Sequence, residues 1–288
     1  MSFNTALLLT QVQMKATLPD GRYTDNEVMS VAHDVLLSQM VPLVLSLKEE
    51  YYVANESQAI TINVASYPIP YKAYGLSLRE VKLIDGTSIR DLYRIDPTAI
   101  TSTATGTPTS FYLEGQDVVV YPTPNSTTGT LKLSYYLTPN KPVLTTASAV
   151  ITNIDIATGV ITATVPTTWT TSNKFDFISQ RNGHKSVASG LTATSLTITT
   201  AEFNVADIPA ALIIGDYISL EGEAPYLQLP DSAFGLMVQL ISNEFLEDLG
   251  DAAALQAGMA KSGELKQAFI SSLNVRVVGA PKRSRIRM

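Results

Sequence analysis

The hydrophobic period changes twice along these 288 residues, from helical to strand-like and back, and no single-class fold accommodates that order. Near the N-terminus, Thr24-Asp25-Asn26-Glu27 offers a capping Thr with a Glu three positions on, and Val28, Val31, Val35 and Leu36 follow at helical spacing. Pro42 predicts a kink or break, with residues 43–48 continuing as a second short helical segment. The helical period returns at Leu229-Pro230-Asp231-Ser232, where Asp231 or Ser232 is placed to cap. Phe234, Met237, Val238, Ile241, Phe245 and Leu249 then form one apolar stripe that ends at Gly250, and a last helix is predicted over about residues 251–273. Each amphipathic face needs a partner, so the economical architecture packs the two helical ends together and hangs the β region from them. The fold class is therefore α+β.

Between the helical ends, residues 59–64 alternate in strand fashion, and Val81 to Ile84 before Asp85-Gly86 reads as a strand entering a hairpin turn. Residues 101–109 consist of Thr, Ser, Ala, Gly and Pro and read as a loop, followed by strands at 117–121 and 131–136. A composition shift comes next: 15 of the 56 residues from 145 to 200 are Thr and only five are charged. Short β patterns recur there at 150–156, 159–165, 174–179, 195–199 and 217–220, which predicts a small β-barrel or β-sandwich. Because the helical period resumes afterwards, this stretch reads as an inserted module. The organisation expected is a helical core of residues 1–57 and 225–275, a β-strand domain at 58–142, an inserted Thr-rich β module at 143–224 and a tail at 276–288.

Several chemistries are excluded or disfavoured. There is no Cys, and with only His33 and His184 one chain cannot supply a zinc site of Cys and His ligands. His184 lies in a polar turn-like stretch and His33 beside Asp34, neither near a nucleophile elbow, so both read as structural or exposed. Gly250, Gly258 and Gly263 are spread along helix ends rather than clustered to cradle a phosphate. Glu244, Glu247, Asp248 and Asp251 crowd one helix end and Glu221 and Glu223 flank Gly222; paired carboxylates can serve a glycosidase, yet on helix surfaces they are usually a solvated face. Trp169 and the pairs Tyr51-Tyr52 and Tyr135-Tyr136 could stack on sugars, but read better as core or interface residues. No catalytic residue, cofactor or metal is expected.

Charge is distributed unevenly. Arg276, Lys282, Arg283, Arg285 and Arg287 put five cations and no acid in the last 13 residues, while residues 1–275 carry 15 basic against 26 acidic side chains, or −11. An acidic body repels phosphate at range, which argues against the tail as a nucleic-acid arm. The apolar stretch 6–9 is too short for a secretory h-region and lacks preceding basic residues, and no segment is expected to approach the roughly 18 apolar residues of a membrane span. A soluble protein of the cytoplasm is the expectation, with no membrane partner.

Two stretches carry a family resemblance. Pro108, Phe111, Tyr112 and Gly115 precede the short apolar strand Val118-Val119-Val120, Pro122-Thr123-Pro124 turns the chain, and a second strand leads to Pro139 and Pro142. Leu229-Pro230-Asp231 leads into a helix ending Glu247-Asp248-Leu249-Gly250-Asp251 with another helix behind it. In this order they resemble the head-to-tail connector (adaptor, or head completion) proteins of tailed bacteriophages. Where such proteins pass almost directly from the strand block to the second stretch, about 80 residues intervene here, so the role of the Thr-rich module does not carry over. The resemblance implies a structural virion protein rather than an enzyme: one subunit of a ring, commonly of twelve, set in the neck between portal and tail proteins, assembled in the host cytoplasm and passed through by genomic DNA. It further implies a C-terminal tail that reaches onto the portal, with Arg276, Lys282, Arg283, Arg285 and Arg287 as charged contacts and Ile286 and Met288 as apolar plugs. Other neck or tail components (stopper, tail tube, decoration protein) and, further off, a sugar-binding adhesin or glycosidase are the alternatives.

Overall fold

The computed structural model describes residues 3–274 except 20, 101 and 182. They fall into two compact units, one made of the residues up to Leu47 together with those from Pro139 onward, the other of Lys48–Thr138.

The first unit holds a helical bundle. Helix α1 (Thr5–Ala16) starts where the Asn4 side chain accepts from the Leu7 N–H at 3.0 Å, and ends with Thr17 in the left-handed region. It buries Leu8, Val12 and Ala16, a four-residue spacing that the run of leucines at 7–9 obscures in the sequence. Helix α2 (Asp25–Val35) carries the expected capping box: Glu27 N–H donates to Thr24 Oγ1 and Thr24 N–H to Glu27 Oε2, and the second bond, from the Thr24 backbone, leads in holding the Glu27 carboxyl below its usual range. Of the kink or break expected at Pro42, the break does not occur. A π-helical turn over Leu36–Met40 joins α2 directly to α3 (Val41–Leu47), and the Val41 N–H reaches back to Leu36 O; widening the turn just before the proline absorbs its missing N–H. The joined run Asp25–Leu47 has 23 residues, its most apolar 18-residue window has a mean hydropathy of 1.6, and it is thus long and apolar enough to cross a membrane by length and composition, correcting the expectation that none would be. Nearly half of that stretch is buried within the protein, where α2 packs on α4 (Phe234–Leu249).

α4 is the central helix, with Met237, Val238 and Ile241 fully buried among α1, α2 and α5 (Ala252–Asn274). It ends as expected at Gly250, which adopts φ 72°. Its start differs: a 3₁₀ turn over Asp231–Ala233 precedes it, no side chain caps it, and the Asp231 carboxylate is turned towards His184. α5 runs so close to α4 that a Cβ built on Gly258 would stand 2.3 Å from Asn243 Oδ1 and 3.1 Å from Gln239 Nε2, two groups that are hydrogen-bonded to each other. Gly258→Val should therefore cost about 1–3 kcal/mol by overpacking, whereas Gly263→Ala on the same helix, where a Cβ meets nothing within 4 Å, should be neutral or gain up to about 1 kcal/mol. Urea midpoints of the two variants provide the comparison.

The second unit is all β, with two four-stranded sheets. Strands β1 (Val53–Ala59), β3 (Ala73–Asp85) and β4 (Ser88–Asp91) join β10 (Thr130–Leu137) in the order β1-β10-β3-β4, with the expected hairpin across Asp85-Gly86. β2 (Ser66–Pro68), β5 (Tyr93–Arg94), β7 (Ser110–Glu114) and β8 (Asp117–Tyr121) form the second sheet, and β6 (Thr105–Gly106) pairs with β9 (Thr123–Pro124). The core lies between inward residues such as Val81, Leu83, Val118, Val120, Leu131 and Leu133. The strand expected at 59–64 is displaced: β1 precedes it, and 60–64 is a turn in which Asn63 has φ 61° and its N–H donates to Pro124 O, leaving Ile62 and Val64 exposed.

The Thr-rich stretch, within the first unit, is a closed six-stranded barrel in the order β12-β13-β16-β15-β14-β17, which settles the choice between barrel and sandwich. Its strands are β12 (Ala149–Asp155), β13 (Val160–Ala163), β14 (Lys174–Ile178), β15 (Ser186–Leu196), β16 (Thr200–Phe203) and β17 (Tyr217–Leu220). Phe175, Phe177, Ile151, Ile161 and Ile218 fill it, and Trp169 closes on Phe175 at a ring separation of 5.1 Å. Of the strand expected at 195–199, residues 195 and 196 are the end of β15, and 197–199 form the hairpin turn to β16, built by Thr197 Oγ1 accepting from the Thr199 and Thr200 N–H groups. Flanking the barrel, β11 (Lys141–Pro142) pairs in parallel with β18 (Glu223–Ala224), so the chain leaves for the barrel and returns from it at adjacent positions.

Candidate interaction surfaces

Barrel and bundle are joined by a buried polar network. Asp176 is fully buried in β14 between two core phenylalanines; its Oδ1 accepts from Gly190 N–H at 2.9 Å and its Oδ2 from Gly222 N–H at 3.0 Å and Asn140 Nδ2 at 2.8 Å. Asn140 also gives its backbone N–H to Gln228 Oε1 at 2.7 Å, while Gln228 Nε2 donates to Ser186 Oγ. His184, buried with φ 45°, stacks on Tyr226 at 4.1 Å and 4°, and Asp231 Oδ1 accepts from its Nε2 at 3.1 Å. Tyr217 packs edge-on against Tyr226, and burial pushes its phenol up to about 12. The α1 end joins the same region: Thr5 Oγ1 donates to Val143 O at 2.6 Å and Thr5 N–H to Pro225 O at 3.0 Å. A fully buried carboxylate held by three donors fixes the geometry of the groups around it.

The acidic helix end has a different setting. Glu244 and Asp248 project from α4 towards Glu27 and Asp34 on α2, and together they rim a groove of about 450 Å³ whose floor is Val31, Val35 and Phe245. Tyr23 closes one wall: its ring packs edge-on against Phe245 and its hydroxyl donates to Asp248, the contact that chiefly raises the Tyr23 pKa. Gln39 Nε2 donates to Glu244 Oε1 at 3.2 Å, and Arg22 stands 3.6 Å from Asp248. Glu247 and Asp251 do not line this groove; Asp251 Oδ1 accepts from Ala254 N–H at the start of α5.

The other residues singled out in the sequence are dispersed. Glu221 and Glu223 lie at the end of β17 and in β18, and burial raises the Glu223 carboxyl pKa. His33 is half-buried on α2 with its pKa lowered by burial, and its Nδ1 has no hydrogen-bond partner. Trp169, Tyr52 and Tyr135 are core residues. Among the described residues no group of three or more His, Asp or Glu side chains could hold a metal ion. The predicted portal contacts Arg276, Lys282, Arg283, Arg285, Ile286, Arg287 and Met288 lie outside the described residues. The joining network is the part that the sequence reading missed; its one signal was Asp176, an acid set between Phe175 and Phe177 in an otherwise apolar strand.

The β unit is where the comparison with known families falls. Residues 43–165 match the family model of the SU10 adaptor protein. This is a phage head-to-tail adaptor family, and the match bears out the resemblance read from the strand block at 108–142. It begins inside α3, spans the whole β unit and ends just beyond β13, the second strand of the barrel. The adaptor family is structural, and its members are virion components that work with other head and tail proteins. No curated protein matches the chain.

Proposed function

We propose that this protein is one subunit of a head-to-tail adaptor ring, commonly of twelve, that bridges the portal and the tail or neck proteins and lines the channel through which DNA passes. The observation that carries the reading is the match of residues 43–165 to the SU10 adaptor protein family. Charge supports it: a body of −11 facing a channel lets DNA pass without adhering, and the basic tail at 276–288 suits docking on an acidic portal surface. The adjacent pairing of β11 and β18 supports reading residues 143–224 as an inserted module carried by the helical core, and the helices at both ends as that core. The ring forms on its partner in the host cytoplasm, because identical acidic subunits repel until docking aligns them at high effective concentration.

Sedimentation with and without purified portal, followed by imaging, is the test. The protein alone should sediment as a single subunit, and with portal as a ring seated on it. Stacked filaments formed by the protein alone would overturn the reading in favour of a tail-tube component.

A further inference from the structure

We infer that the groove between α2 and α4 is the seat of the chain's own basic C-terminal segment while the subunit is free. The groove has an apolar floor (Val31, Val35, Phe245) and a rim of four carboxylates (Glu27, Asp34, Glu244, Asp248); among the described residues no Lys or Arg lines it, and the one cation beside the rim is Arg22, 3.6 Å from Asp248, which leaves the rim with a net negative charge. A ligand matched to that lining alternates cations with apolar side chains. The segment Lys282-Arg283-Ser284-Arg285-Ile286-Arg287-Met288 has that pattern, four cations with Ile286 and Met288 among them. Arginine suits the site because its guanidinium is weakly hydrated and can pair bidentately with a carboxylate while its stem lies on apolar surface.

Reach decides between the chain's own segment and another's. Near the end of α5, Ser272 Oγ lies 3.4 Å from Ser232 Oγ, which places that end beside the start of α4. Glu244 and Asp248 lie farther along α4 by roughly 20 Å at the helical rise of ~1.5 Å per residue. Residues 275–281 can span about 23 Å when extended, enough to bring Lys282 and the residues after it to the rim. A tether of that length holds the segment at an effective concentration of about a millimolar, which a second copy at micromolar concentration does not match. Attraction to a rim that is mostly exposed is screened by salt, so the seat is occupied reversibly and yields to a stronger acidic surface. The contact needs only the groove and the segment; it does not depend on the adaptor reading.

The natural chain has no Cys, so a single introduced pair reports the contact in the full-length protein. Ser38 lines the groove and is exposed; Ser284 lies within the basic run. Under mild diamide oxidation at low salt, Ser38→Cys/Ser284→Cys should close an intrachain disulfide at least about tenfold faster than the control Asn153→Cys/Ser284→Cys, which pairs the tail with the exposed face of β12. Adding Asp34→Lys and Glu244→Lys should bring the rate down to the control. Arg285→Glu/Arg287→Glu, which leaves the folded body untouched, should do the same. Rates equal to the control, rates indifferent to both charge reversals, or a disulfide formed only between chains would each overturn the inference. Failure to bind portal would leave it standing and sink only the adaptor reading.

Discussion

Deleting residues 280–288 should leave both compact units folded and reduce binding to portal by at least about a hundredfold, so that DNA-filled heads no longer acquire the protein. The deletion removes Lys282, Arg283, Arg285 and Arg287 together with Ile286 and Met288, and the barrel core and the core of the β unit are built from residues before it. A hundredfold is about 2.7 kcal/mol, the worth of one or two charge-assisted hydrogen bonds, so the loss is a lower bound if several of the four cations are engaged. Because the partner surface is expected to be acidic, binding of the intact protein should also weaken steeply with salt, whereas that of the truncated protein should not. Far-ultraviolet circular dichroism checks the fold and co-sedimentation with heads checks attachment. Normal attachment by the truncated chain would remove the tail from its assigned role and leave the family match as it is.

The parts of this fold that were legible in the sequence are those in which local chemistry and tertiary context agree. The capping box at Thr24 and Glu27, the hairpin at Asp85-Gly86 and the stop at Gly250 each depend on residues within a turn of one another, and the strands at 117–121 and 130–137 carry β-favouring residues that their pairing with distant strands accepts unchanged. Errors came where a distant partner overrode local pattern. Asp231 has the chemistry of a cap, but His184, 47 residues away in sequence, claims its carboxylate. Ile60, Ile62 and Val64 alternate like a strand, yet the N–H of Asn63 is taken by Pro124 and the chain turns. Pro42 would break an isolated helix, whereas α4 packing holds the run together and a π turn accommodates the proline. β15 escaped notice because Gly190, at φ 71°, interrupts its alternation and the pairing with β14 shifts register around it. The acidic groove was half legible: Glu244 and Asp248 were visible as a cluster, but Glu27 and Asp34 join them only through the packing of α2 on α4.

Asp176 is where a single substitution should cost the most. Asp176→Ala removes a fully buried carboxylate and leaves the N–H groups of Gly190 and Gly222 without this acceptor, along with one donor bond of Asn140 Nδ2, so the first unit should lose about 3–5 kcal/mol. Asp176→Asn is the informative companion. Its amide oxygen can still serve one side, but its NH₂ group must then face the donors on the other, and the expected cost is about 1–3 kcal/mol. Asn140→Ala should cost less again alone, because the Asp176 carboxylate keeps both backbone donors. The double variant should fall short of the sum of the single losses by about 1 kcal/mol or more, since the two side chains share one hydrogen bond. Urea denaturation followed separately by Trp169 fluorescence, which reports the barrel, and by helical ellipticity, which reports the bundle, distinguishes loss of a joint from uniform weakening. In the native chain the two signals should change together, because Asp176 on the barrel and Asn140 beside the bundle are held by one network. In Asp176→Ala they should separate, with the barrel signal lost at lower denaturant; coincident transitions, or a total loss under about 1 kcal/mol, would show that the barrel is held by its apolar contacts with Tyr226 and Ala224 instead.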